Sequence, residues 1–286
     1  MNDKNRLQFD IKINPLDSLI EKYVIGKLNK NPPESYDKIK QKELEQIYNG
    51  VIDNFTKEQT NNFYVRIILS IRANLMREHM MITHKKIMFR EKKIISDYNS
   101  GLNLVGLVSK YDYSPLNLLR LIFQSKYHKK LTKIMTNLDL LDLRDKSQLD
   151  WAINHDAYAL INQDEILTKS NEFENKIKFI LDKLSIRYKT QLELSDEQIK
   201  LEGIASNTPD FLIMDELFIN GIKINWIDAK NFYGSNTKFM IKKTKSQTKK
   251  YINKWGSGSI IFNLGFNSDL SIDNILMIDY KSFSKI

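Results

Sequence analysis

The chain has 286 residues, 44 Lys and Arg against 35 Asp and Glu for a formal charge of +9, and 42% hydrophobic residues, enough for two domains with a core each. The absence of cysteine excludes a disulfide scaffold, a thiolate zinc site, an iron–sulfur cluster and a cysteine nucleophile. No stretch approaches the ~18 consecutive apolar residues of a spanning helix, and the opening MNDKNRLQFDIKINP lacks an apolar signal core, so the expectation is an intracellular protein, nuclear or cytoplasmic, neither secreted nor in contact with a membrane.

A basic excess points to an acidic partner, nucleic acid first, although a composition rich in Lys, Asn and Ile also follows from AT-rich coding. Its distribution is more informative. Residues 1–150 carry 26 Lys and Arg against 18 Asp and Glu, and residues 151–286 carry 18 against 17. Within the second half, Lys238, Lys242, Lys243, Lys245, Lys249, Lys250 and Lys254 form a run with no acid between Ser235 and Asn267. Such a run is either a solvated helix face or a phosphate-binding surface.

From Pro15 to Thr136 the apolar residues recur every three or four positions, as in Phe63, Ile67, Ile68, Ile71 and Leu75, which predicts helices. Breaks fall at residues 31–34, 98–101 and 113–115. Residues 101–125 hold two short apolar-periodic pieces separated by Tyr111-Asp112-Tyr113, with Ser114 placed as an N-cap and Pro115 at the first helical position. That spacing suits a helix-turn-helix whose second helix turns Asn117 and Arg120 outward, with Lys126, Lys129 and Lys130 following; a plain helical hairpin buried in a bundle has the same pattern.

Past residue 162 the pattern changes. An amphipathic helix over 172–184 precedes strand-like pieces at 187–194, 211–214, 217–219, 222–230, 259–264 and 275–278, with a helix near 238–254. Asn220-Gly221 between two apolar runs is a hairpin signal. The expected architecture is therefore an α+β two-domain chain: a helical N-terminal half over 1–160, then a domain with a central mixed sheet over 161–286.

Alternation along 222–231 places Ile224, Trp226, Asp228 and Lys230 on one sheet face. Asp210, after Thr208-Pro209 at the start of the preceding strand, folds back beside Asp228 through the hairpin. Two carboxylates and a lysine make a small polar cluster of the kind that suits Mg²⁺ or Mn²⁺, with Lys230 available to orient or deprotonate a water and to steady charge on a phosphate. A third acid is expected from the 172–184 helix. Projected at about 100° per residue, Glu174 borders the apolar face set by Phe173, Ile177, Ile180, Leu181 and Leu184, whereas Glu172 looks outward. The same projection of the basic helix puts Met240, Thr244, Gln247, Tyr251 and Trp255 on one face, with Lys243, Lys250 and Lys254 along an edge.

An upstream Glu, a Pro-Asp, a (D/E)xK tripeptide on the next strand and QxxxY on a helix, here Glu174, Pro209-Asp210, Asp228-Ala229-Lys230 and Gln247 to Tyr251, resemble the PD-(D/E)xK nuclease superfamily in its RecB-like QxxxY form. The runs EFE (172–174), TPDFLI (208–213), NGIKINWIDAKNFYG (220–234) and WGSGSIIFNLGF (255–266) resemble the TPD-domain nucleases, the group that includes the codanin-interacting nuclease of animals, and YDYSP (111–115) resembles the helix-turn-helix that precedes their nuclease domain. The similarity covers roughly 101–266, and position 228 is Asp where Glu is the commoner residue.

The resemblance implies a restriction-endonuclease-like α/β domain that hydrolyses phosphodiester bonds, of DNA more than of RNA, with Mg²⁺ or Mn²⁺. It implies that Asp210, Asp228, the Ala229 carbonyl and Glu174 hold the metal, that Lys230 positions the attacking water, and that Gln247 and Tyr251 brace the phosphate. Lys243, Lys250, Lys254, Asn117 and Arg120 would hold nucleic acid, and the helical half could also carry a protein partner. The competing expectation is an adaptor with little or no catalysis that binds nucleic acid and recruits that partner. His79, His84, His128 and His155 lack metal-ligand spacing, and no nucleophile elbow, GxxxxGK or GxGxxG occurs.

Overall fold

The computed structural model describes residues 6–158, 163–206 and 208–286. The chain begins with strand β1 (Arg6–Phe9) and then runs through helices α1 (Ser18–Lys27), α2 (Gln41–Asn54), α3 (Lys57–Thr60), α4 (Val65–Phe89), α5 (Glu91–Asn99), α6 (Leu104–Tyr111), α7 (Pro115–Tyr127), α8 (Leu131–Met135) and α9 (Leu143–Asn154). There follow α10 (Gln163–Lys183), β2 (Tyr188–Thr190), α11 (Gln191–Glu202), β3 (Phe211–Ile219), β4 (Ile222–Lys230), α12 (Lys238–Trp255), β5 (Gly258–Phe262), β6 (Ile275–Asp279) and α13 (Tyr280–Phe283). The chain is thus α+β, with helices through the N-terminal half and a mixed sheet later. Among the described residues no helix is long and apolar enough to cross a membrane.

Two units form. One comprises Met1–Gly26, Ile47–Ile71 and Asn162–Ile286, the other Lys27–Gln46 and Arg72–Ile161. The N-terminal half therefore contributes to both, and the boundary expected at 160/161 lies outside the described residues.

The first unit holds the sheet. Its order is β1-β3-β4-β5-β6, with β2 also pairing β3; β3 runs antiparallel to β4, while β4, β5 and β6 are parallel. Phe173, Ile177, Ile180 and Leu181 of α10 pack on one face with Phe211, Ile213, Ile227, Ile261 and Ile278. Trp226, Ile260, Phe262 and Met277 pack on the other with Tyr251 of α12. The sheet is thereby held between α10 and α12, and each buried Ile, Leu or Phe stabilises the sandwich by about 2 kcal/mol. Ile224 departs from the expected alternation: it joins the α10-side cluster, where the β3–β4 register shifts between Leu212 and Leu217.

Two elements differ from the sequence reading. The strand expected over 187–194 stops at Thr190, because Thr190 and Glu193 form a reciprocal capping box that starts α11. The strand β1 was not expected; it pairs in parallel with the end of β3, Arg6 opposite Glu216 through Phe9 opposite Ile219.

The second unit is helical. Its core gathers Tyr98, Leu104, Leu107, Val108, Leu116, Leu119, Ile122, Phe123 and Ile134. Asn103 caps α6 by accepting from the Gly106 N–H, and Asp112, at φ 47°, ends it. Ser114 caps α7 with Pro115 at the first position, as read from the sequence. The second helix of this pair is nevertheless largely buried: Leu116, Leu118, Leu119, Ile122 and Phe123 have no exposure. Its start is covered by Asp156, which accepts from the Ser114 hydroxyl (2.5 Å) and the Leu116 N–H (3.0 Å).

Candidate active site

All the residues singled out on the sheet lie in the first unit. Asn220 and Gly221 join β3 to β4 at φ 50° and 74°, the left-handed pair that a tight hairpin turn requires. The pairing sets Phe211 opposite Ile227 and Leu212 opposite Trp226, which brings the Pro209-Asp210 turn alongside Asp228. Asp210 Oδ2 accepts a 2.6 Å hydrogen bond from the Ala229 N–H and is fixed by it.

Trp226, Asp228 and Lys230 point toward α12. Trp226 is fully buried, with its ring centroid 5.3 Å from that of Tyr251 and its indole N–H donating to the Gly256 carbonyl at 2.9 Å, so it is a wall of the site. Gln247 Nε2 donates to Asp228 Oδ1 at 3.2 Å, and Lys230 Nζ donates to Gln247 Oε1 at 3.1 Å. The Lys230 ammonium also pairs with Asp228 Oδ2. That inner oxygen is buried and accepts no hydrogen bond of ordinary geometry, so the Lys230 charge alone faces it among the described residues. The Tyr251 hydroxyl donates to the Thr208 carbonyl at 3.2 Å, holding the turn that carries Asp210.

Glu174 sits on α10 at the edge of the buried face, half-buried, while Glu172 is exposed, as the helical projection required. Burial, and then the Asp228 charge, raise the Glu174 carboxyl, with Lys230 acting against them. Burial followed by Asp228 lifts Asp210 well above the usual carboxylate range despite Lys230 and the Ala229 N–H. Burial by itself would lower Lys230, but the charges of Asp228 and Asp210 prevail and hold the ammonium above its ordinary value. Burial, then Asp228, raise the Tyr251 phenol. Three carboxylates thus share one lysine, and the cluster favours an added proton or cation. Among the described residues, no three acidic or histidine side chains converge closely enough to enclose a metal ion by themselves. The donors available are carboxylate oxygens, which suit a hard divalent cation, although Asp228 Oδ2 already faces the Lys230 ammonium.

The expected nucleic-acid residues fall in two places. Lys243, Lys250 and Lys254 are exposed along α12, and Lys250 and Lys254 line an open groove of about 380 Å³ with Ser206 and Asn253. In the second unit Arg120 is exposed and donates to Asn117 Oδ1 at 2.7 Å, and Asn117 is only half-exposed. Lys126 is committed to Asp142 and Asp145, each at 2.7 Å, which removes it from the outward row expected there.

Two supporting residues carried no local signal. Asn231, directly after Lys230, donates to the Lys169 carbonyl of α10 at 2.7 Å and accepts from Asn263 Nδ2 at 2.6 Å, tying the helix of Glu174 to the ends of β4 and β5. Glu21 of α1, 3% exposed, accepts from Ser235 and Asn236 in the segment that leads from β4 into α12, and from Tyr233 and Asn267. Only the fold brings these partners together.

Residues 141–281 match the family model described as a protein of unknown function with the TPD sequence motif. Uncharacterized protein L539 of Acanthamoeba polyphaga mimivirus is 28% identical over 156 residues, 53% of this chain and 55% of that protein, so the chain spans about half the length of that relative. The CDAN1-interacting nuclease 1 of Mus musculus and that of Homo sapiens are each 26% identical, over 223 and 234 residues, 71% of this chain and 77% of theirs. No solved structure matches. The chain is thus similar to the TPD-motif group and to proteins named as nucleases.

Proposed function

We propose that the protein is a divalent-metal-dependent nuclease of the PD-(D/E)xK type with a restriction-endonuclease-like frame, hydrolysing phosphodiester bonds of DNA. The observation that carries this reading is the assembly of Asp210, Asp228, Lys230 and Gln247 from two strands and a helix, with Glu174 within electrostatic reach. A binding surface for phosphate needs lysines; it gains nothing from buried carboxylates that repel phosphate unless a cation joins them.

Asp210, Asp228 and the Ala229 carbonyl would hold Mg²⁺ or Mn²⁺, with Glu174 bound to it directly or through water. The ion supplies Lewis acidity toward the scissile phosphate and lowers the pKa of a bound water. Lys230, beside Asp228 and Gln247, would position the attacking water and stabilise the charge that develops on the phosphate. Gln247 reaches both Asp228 and Lys230, so it sets their separation and offers its amide to a phosphate oxygen. Tyr251 acts through the Thr208 carbonyl on the turn of Asp210. Lys243, Lys250 and Lys254 would track the backbone of the bound strand; Arg120 and Asn117 would be a separate nucleic-acid contact of the helical unit.

The test is cleavage of labelled single-stranded, duplex and branched DNA and of RNA, with Mg²⁺ or Mn²⁺. Asp228→Asn and Lys230→Ala are each expected to reduce cleavage by about a hundredfold or more with an unchanged circular dichroism spectrum. Cleavage that persists in purified Asp210→Ala/Asp228→Asn protein refutes the assignment. Metal-independent binding without cleavage across the panel favours the adaptor.

A further inference from the structure

Helix α4 carries an apolar stripe at seven-residue spacing, Ile68, Leu75, Ile82 and Phe89, flanked by Ile71, Met81 and Met88. In its first half the stripe is covered, with Ile67, Ile68 and Ile71 fully buried. In its last three turns it is open: Met81 is 46% exposed, Ile82 60%, Met88 42% and Phe89 96%. The opposite side of the same turns is anchored, since Met76 and Ile87 are buried in the core of the helical unit. Projected at about 100° per residue, Met88, Met81, Lys85, Phe89 and Ile82 fall within an arc of roughly 120°, facing away from Ile87. Isolated apolar side chains are common on surfaces, but four large ones on one helical face need a covering partner.

The charge around this face is predominantly basic, with Glu78 a turn before Met81 and Glu91 after Arg90 as the nearby acids in sequence. Lys85 lies inside the arc and Lys86, Arg90 and Lys92 border it, all exposed and without an acidic partner among the described residues. The helical unit as a whole carries 20 Lys and Arg against 13 Asp and Glu. Nucleic acid would satisfy these cations but leave Phe89 and the methionines in water. A helix with apolar residues at i, i+4 and i+7 and acidic flanks satisfies both, lying along the roughly 12 Å from residue 81 to residue 89. Methionine side chains adapt to such a partner, and flanking charges set its orientation.

We propose that the outward face of the last three turns of α4 is a docking surface for an acidic amphipathic helix of a partner protein. The proposal is independent of any catalytic activity. A phage-displayed library of helical 18-residue peptides selected against the full chain tests it, with the recovered peptides then titrated by fluorescence anisotropy. Recovered peptides are expected to be acidic with apolar residues at i, i+4 and i+7. Phe89→Ser and, separately, Met81→Ser/Ile82→Ser should weaken binding at least about tenfold. Leu143→Ser, which changes an 87% exposed apolar side chain on α9, should leave binding unchanged. Failure to enrich acidic helices, binding insensitive to Phe89→Ser, or retention of affinity when every Glu of the peptide is replaced by Lys overturns the proposal. So does sedimentation showing that Phe89→Ser converts a dimer to a monomer, or a stronger effect of Phe89→Ser on phosphatidylserine vesicles than on peptide.

Discussion

Replacing Glu21 by glutamine tests whether the connection from β4 into α12 is held by a buried carboxylate. One carboxylate oxygen accepts from Ser235 Oγ at 2.5 Å and the Asn236 N–H at 3.2 Å; the other accepts from Tyr233 OH at 3.1 Å and Asn267 Nδ2 at 2.5 Å. Glutamine keeps one acceptor oxygen and turns the other into a donor. The Ser235 and Tyr233 hydroxyls can rotate to accept from it, but the Asn236 N–H cannot, and Asn267 Oδ1 already accepts from the Asp269 N–H. With the amide nitrogen in place of Oε2, Asn267 Nδ2 loses its acceptor; with it in place of Oε1, the Asn236 N–H keeps only its longer 3.4 Å contact to the remaining oxygen. Either arrangement costs about 1–3 kcal/mol, and the charge-assisted strength of the remaining bonds also falls. Glu21→Gln should therefore destabilise this unit by about 2–3 kcal/mol, and Glu21→Ala, which abandons all four donors and leaves a cavity, by about 4–5 kcal/mol. For a unit of this size that is a fall in Tm of roughly 5–10 °C for the glutamine variant. Differential scanning calorimetry reads it directly, and a change within about 1 °C would refute the reasoning.

Asp210→Asn should make the protein more stable at neutral pH in EDTA. The folded-state pKa of Asp210 lies well above its ordinary value of 3.8, so its contribution to stability is fully present below that value and is lost as the pH rises through the raised pKa. The asparagine retains an acceptor for the Ala229 N–H and removes this dependence. Melting curves of the two proteins should diverge by a few degrees as the pH rises above the ordinary carboxylate value, with the wild type falling; parallel curves would defeat the charge argument. Gly258→Ala should cost about 3 kcal/mol or abolish soluble expression, because a Cβ at the buried start of β5 would enter the Trp226 indole ring. Trp226→Phe introduced with it should restore part of the loss, and a normally folded Gly258→Ala protein would contradict the packing.

The elements legible in the sequence were those fixed by local chemistry. Ser114-Pro115 starts α7, and Asn220-Gly221 turns β3 into β4, because capping and positive φ are decided within four residues. Strand β1 was illegible for the opposite reason. Its four residues alternate weakly between exposed and half-buried, and they become a strand only by pairing with the end of β3, more than two hundred residues later. At 187–194 two local signals competed. Strand propensity suggested a strand throughout, but Thr190 and Glu193 satisfy each other's backbone donors and commit the chain to α11. For α6 and α7 the helices were legible and their role was not. The apolar residues that mark α7 as helical are the same ones that bury it, so helical period does not distinguish a groove-reading helix from a central one.

The cluster itself was legible because it follows from two short-range rules, the alternation that puts Asp228 and Lys230 on one face and the hairpin that returns Asp210 to them. What those rules do not contain is the protonation of the cluster. Read as an isolated residue, Lys230 is simply a charged ammonium at neutral pH, with nothing to say what it does to its neighbours. Placed between Asp228 and Gln247, with Asp210 beside Asp228, it is held as an ammonium, and the Asp210 and Glu174 carboxyls are pushed toward protonation. A cation entering the cluster would reverse the second effect, because it would supply the positive charge that Lys230 alone does not. Titrating Mg²⁺ into the protein should therefore raise the Tm of the wild type more than that of Asp210→Asn, even on a preparation that has never met a substrate. An equal rise in both would mean that the ion binds elsewhere and that the carboxylates serve the fold alone.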